Sequence, residues 1–145
     1  MIHKTIFHTF FALFLIAHAF IHISLTWVPT PQPGSLQTPF LPTLQHSNID
    51  PGWWINRTGW SSSAIRGIGW YLCLAATILY LLSGLGFFGI PGLQSLARPI
   101  IIGASVLSLA LLTLFGHPWY GVGLAIDIAL LIGAAFSWPI ALFAL

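Results

Sequence analysis

The sequence predicts an all-α polytopic membrane protein, with four transmembrane helices in an up-down bundle and a long Pro/Trp-rich loop between helices 1 and 2. Three observations carry that prediction. The 145 residues are 57% hydrophobic and only 4% charged, whereas a soluble domain carries about a quarter charged residues. Mean hydropathy is +0.93, and the apolar residues fall into four runs, each about long enough to cross a ~30 Å hydrocarbon slab as a helix. Eight of the ten prolines and half of the six charged residues fall between those runs.

The first run extends from about Ile6 to Val28 and stops at Pro29. Its start after Lys4 and the small-x-small triplet Ala17-His18-Ala19 imitate a secretory signal with a cleavage site. The apolar run continues well past that triplet, so it is read as a true span. Residues 29–62 follow, with six of the ten prolines. Pro and Gly at this density exclude a membrane helix, and so long a connection commonly has a function of its own. Its tryptophans suit the headgroup level, so the loop is expected to lie against the membrane and cap the bundle.

The second span is expected from about Ser63 to Ile90, with Ser61, Ser62 and Ser63 offering N-cap oxygens and Pro91-Gly92 ending it. The third runs from about Pro99, a good first-turn residue, to Phe115. Gly116-His117-Pro118-Trp119 forms a tight turn, which makes spans three and four antiparallel neighbours. The fourth extends from about Tyr120 to Ala141, kinked or frayed near Pro139. Residues 1–145 thus read as a single membrane domain.

Composition also excludes function classes. Four basic residues and two acids make no nucleic-acid surface. The absence of Glu leaves almost no room for paired-carboxylate catalysis or a carboxylate-bridged di-metal centre. The lone Cys73 forms no intrachain disulfide. The long loop and the tight turn share one face of the membrane, where most of the tryptophans gather. With Lys4 and Arg98 nearly balancing Arg57 and Arg66, we read the chain as a multi-pass protein of the cell (inner) membrane with both termini cytoplasmic. The sequon Asn56-Arg57-Thr58 would then face outward.

The candidate chemistry lies in AHAFIH. His8, Phe11, Leu15, His18 and His22 are spaced three, four, three and four apart, along one seam of the first helix. That seam must face protein, because lipid offers an imidazole no hydrogen-bond partner. Asp127 is the one ionisable residue of the fourth span, at a depth similar to His22 on an antiparallel helix. Arg66 near the head of span two and His117 at the tight turn complete an expected polar pocket of His18, His22, Arg66, Asp127 and His117. Gly121, Ala125, Ala129 and Gly133 form a four-residue stripe for close helix packing, with Asp127 roughly opposite.

Three readings of the histidines compete. In the first they form, with Asp127, an interhelical hydrogen-bond network whose carboxylate Arg66 neutralises, and no cofactor is bound. In the second, His18, His22 and His117 hold a metal or haem, or ligate the magnesium of a chlorin. No CxxCH motif is present, and HExxH fails because Ala19 stands where Glu would be. In the third, the imidazoles and Asp127 handle a proton in a proton-coupled small-solute carrier. Tyr71 and Tyr80 read as packing residues, and Gly84, Gly86 and Gly89 as a hydrophobic helix end.

Three stretches, AHAFIH, AIRGIGW and FGHPWYGVGLAIDIALL, resemble a broad set of small bacterial four-helix integral membrane proteins with no established activity. Members commonly open with a His-Gly-x-x-His helix, in which Ala19 here replaces the glycine, and carry a Pro-aromatic-Gly turn before the last span. The resemblance implies four helices in a single domain, and it carries over no catalytic residue. The expectation from the sequence is therefore a non-enzymatic membrane protein, a small subunit or interaction protein in contact with the bilayer. Its partners would be other membrane subunits or further copies of itself.

Overall fold

The computed structural model describes residues 2–26, 55–115 and 120–137. Among them are four α-helices and no strand: α1 (Ile2–Thr26), α2 (Ser62–Phe87), α3 (Ala97–Phe115) and α4 (Gly121–Phe136). Two short 3₁₀ turns, Ile55–Arg57 and Gln94–Leu96, precede α2 and α3. Most of the expected capping loop, the turn with His117, and the segment around Pro139 lie outside the described residues.

Three helices are long and apolar enough to cross a membrane: Ile6–Ser24 within α1, all of α2, and Gln94–Phe115. Their outer faces match that solvent. Phe7, Phe10, Phe20 and Ile21 of α1, Leu74 and Ile78 of α2, and Val106 of α3 are all exposed, an apolar exterior of the kind that lipid covers. With 16 residues, α4 is only about 24 Å long at ~1.5 Å per residue. The sequence-based boundary at Ala141 is too long for this helix, because Ser137 adopts a left-handed conformation (φ 53°) and closes it at Phe136.

Side-chain contacts fix an up-down order. Cys73 donates to the His22 carbonyl at 3.4 Å, while Gly84, three turns further along α2, lies against Ala12 and Ile16 of α1. Ser83 donates to the Ala97 carbonyl at 2.8 Å and Tyr80 meets Ser105 at 3.1 Å, so α3 runs back along α2. Leu112 lies under Gly123, and Arg98 at the start of α3 donates from Nε to the Ala134 carbonyl (2.7 Å) and from Nη2 to that of Ala135 (2.9 Å). A guanidinium thus meets the carbonyls of the last turn of α4, where helix polarity favours a cation.

The helix ends follow local chemistry. Ser61 caps α2, its hydroxyl accepting from the Ala64 N–H at 3.3 Å. The other end stops at Phe87, before the expected Ile90. Gly89 takes a left-handed conformation (φ 85°), its N–H donates to the Gly86 carbonyl, and the Ile90 N–H reaches back to Leu85. That paired pattern is a Schellman closure, so Gly89 ends α2 ahead of Pro91. Pro99 sits two residues inside α3, still in the first turn, where its missing N–H costs nothing.

Buried apolar residues form two clusters. One contains Leu15, Tyr80, Phe87, Ile101 and Leu130; the other contains Ile55, Ile65, Cys73, Leu111 and Phe115. Along α3 the two meet at Ser105 and Ser108, both fully buried. The polar centre sits at that junction. Helices α2 and α3 come close because Gly86 has no side chain: a Cβ there would stand 2.7 Å from the Leu93 carbonyl oxygen and 2.8 Å from Ala97 Cβ. Replacing Gly86 by Ala gains up to ~1 kcal/mol of helix propensity but loses about 1–3 kcal/mol to overpacking against backbone. We expect Gly86→Ala to lower the unfolding midpoint in detergent, with Gly67→Ala, where a Cβ meets nothing within 4 Å, as the control that keeps the propensity gain without the clash.

Candidate functional site

A helix presents residues four apart on one face, so α1 places the rings of His18 and His22 together, centroids 4.8 Å apart and planes at 83°. Tyr80 from α2 packs edge-on to His18 at 4.9 Å and stacks parallel to His22 at 6.0 Å. From α4, Asp127 reaches into this group. It is 0% exposed, and His18 and His22 are 5% and 3% exposed. An ionisable side chain at such a place must find hydrogen bonds inside the protein.

Asp127 finds three. His18 Nε2 lies 2.9 Å from Oδ1, the Tyr80 hydroxyl donates to the same oxygen at 2.7 Å, and the Ser108 hydroxyl donates to Oδ2 at 2.5 Å. Two further contacts extend the group, with Ser108 Oγ 2.9 Å from His22 Nε2 and Tyr80 OH 3.1 Å from Ser105 Oγ. The donors follow from counting protons. Ser108 has one proton and gives it to Asp127, so His22 Nε2–H donates to Ser108. Tyr80 likewise gives its proton to Asp127, so Ser105 donates to Tyr80. The result is a branched chain of hydrogen bonds that ends on one carboxylate and includes side chains from all four helices.

The sequence-predicted pocket is thus assembled in part. His18, His22 and Asp127 come together, while His117 lies outside the described residues. Arg66 is a correction. It is exposed in the second turn of α2, fourteen residues before Tyr80 and so about 21 Å away along the helix. The donors to the carboxylate are an imidazole and two hydroxyls. Tyr80, expected to be a packing residue, is a direct partner of Asp127, and Ser105 and Ser108 were not foreseen at all. Their signal was present: hydroxyls three residues apart in mid-span lie on one helix face, and in lipid that face must meet protein.

The small-residue stripe of α4 divides. Gly133 is buried, but Gly121, Ala125 and Ala129 are exposed on the side away from α3, and a Cβ on Gly121 would meet nothing within 4 Å. Within this chain, α4 packs chiefly through Asp127, Leu130 and Ala134.

For a haem or a chlorin, an imidazole needs a ring nitrogen aimed into a flat space of macrocycle width. Here Nε2 of His18 and of His22 are each 2.9 Å from a side chain of the bundle, and the rings are flanked by one another, by Tyr80 and, at 5.9 Å from His18, by Phe14. A single metal ion needs far less room. Ligand atoms of His18, His22 and Asp127 all lie within 4.8 Å of one another.

The network sets the stability of the bundle. One interhelical hydrogen bond in a membrane protein contributes about 0.6 kcal/mol, with a maximum near 1.7, and Ser105→Ala removes one. Asp127→Ala removes three bonds and orphans buried donors, at a cost of about 2–5 kcal/mol. In unfolding titrations in mixed micelles we expect Asp127→Ala to be the most destabilising of the site variants and Ser105→Ala the least; equal effects would mean that the carboxylate is not the hub. No protein family, curated protein or solved structure matches the chain, so the reading of this centre rests on its own chemistry.

Proposed function

We propose that this protein is a small integral membrane protein whose four helices all cross the bilayer of the cell membrane, with both termini cytoplasmic, and that it acts as a non-catalytic subunit or interaction protein in a larger membrane assembly. The observation that carries the reading is the way the polar centre closes on itself. Asp127 takes its hydrogen bonds from α1, α2 and α3, so the interior polar groups fix helix register. The outer face of α4 supports the second half of the reading. Gly121, Ala125 and Ala129 are exposed there, and small residues let another helix approach closely in lipid.

The test is made in native membranes. In a Cys73→Ala background, single cysteines at Ala125 and Ala129 are treated with a short bismaleimide, with Val106→Cys on the exposed face of α3 as comparison. We expect a discrete higher-mass product from the α4 positions and none from Val106, and a particle heavier than one chain after extraction in mild detergent. A monodisperse single chain with no α4-specific product would overturn the proposal.

A further inference from the structure

We propose that His18, His22 and Asp127, with the Tyr80 phenol as fourth donor, form a binding site for one divalent transition-metal ion of the zinc, cobalt or copper type. The inference concerns the interior of the bundle and is independent of whether its exterior meets a partner.

Several observations converge on that chemistry. Two imidazoles one helical turn apart and a carboxylate from a facing helix are the donor types that borderline divalent ions select. All three side chains are at least nine-tenths buried, and their ligand atoms already lie within 4.8 Å of one another. Bonds of about 2.0–2.2 Å to a common ion place ligands roughly 3.0–3.6 Å apart, so the His18–Asp127 separation of 2.9 Å needs little change and His22 must move inward by about an ångström. Outer support for the carboxylate is in place, because Ser108 donates to Oδ2, as hydrogen-bonded ligating carboxylates require. His22 is four residues from the end of α1 at Thr26, about 6 Å along the axis.

Charge balance explains why Tyr80 belongs to the set. A divalent ion with one carboxylate leaves a net positive charge in an apolar interior, which is expensive. The Tyr80 hydroxyl, 2.7 Å from Asp127 Oδ1, cancels it by giving up its proton on coordination. Coordination therefore releases the phenol proton to solvent while the imidazoles bind through neutral ring nitrogens, and the ion with one carboxylate and one phenolate leaves no net charge.

The experiment uses the full chain in detergent, stripped with chelator and titrated with Co2+ and then Zn2+. We expect one Co2+ per chain with visible absorption of low coordination number, at least one proton released per ion in weak buffer, displacement of cobalt by zinc, and X-ray absorption showing two imidazoles. Tyr80→Phe and Ser108→Ala should weaken binding by about 10- to 100-fold, and His22→Ala or Asp127→Asn by more. A chain with His3, His46 and His117 changed to Gln should keep the ion. The proposal is overturned if wild type takes up no stoichiometric metal, if its spectrum shows fewer than two imidazoles, or if that triple variant loses binding. The two wild-type readouts decide the matter even where a site variant fails to fold.

Discussion

A carboxylate held away from water dictates much of this molecule. Asp127 is 0% exposed in a chain whose exterior is hydrocarbon-like, and a buried charge or polar group without partners costs several kcal/mol. Each oxygen of that side chain must therefore be met by a donor from another helix. His18, Tyr80 and Ser108 meet them, and each donor is in turn positioned by a neighbour, Phe14 stacked on His18, Ser105 at Tyr80, and His22 at Ser108. The relative rotation and translation of four helices are constrained by one residue because hydrogen bonds tolerate only a few tenths of an ångström.

Close helix approach makes that geometry reachable. Tyr80 spans the gap to both Ser105 and Asp127, and near it Gly84 lets α1 press onto α2 while Gly86, two residues on, lets the start of α3 do the same. The ends are secured by unrelated means, Gly89 turning the chain out of α2 and Arg98 collecting the free carbonyls of α4. Polar chemistry thus appears in two places with different duties: at helix termini it completes backbone hydrogen bonding, and at mid-bundle it sets which faces meet.

Much of this was legible in the sequence. Apolar run length revealed the helices, and the three-four spacing of His8, Phe11, Leu15, His18 and His22 identified the inward face of α1, where Leu15, His18 and His22 are indeed buried. Similar depth on antiparallel helices brought Asp127 to the histidines. The misses have physical causes. Arg66 was placed by charge complementarity, but a rigid helix keeps it about 21 Å from the level of Tyr80. Tyr80 was read as packing because a phenol in an apolar span looks the same whether its hydroxyl is used or idle. The length of α4 was overestimated because a run of apolar residues cannot reveal that Ser137 turns left-handed.

The distribution of the network over four helices also bears on how the protein is made. Three donors reside on α1, α2 and α3, while their common acceptor lies on α4, the element that leaves the ribosome after them. Until α4 docks, His18, Tyr80 and Ser108 have no carboxylate to serve, and Asp127 on α4 lacks its three donors. Docking of α4 therefore completes hydrogen bonds that the three earlier helices leave open, and a bundle interrupted before that step carries buried donors without their acceptor.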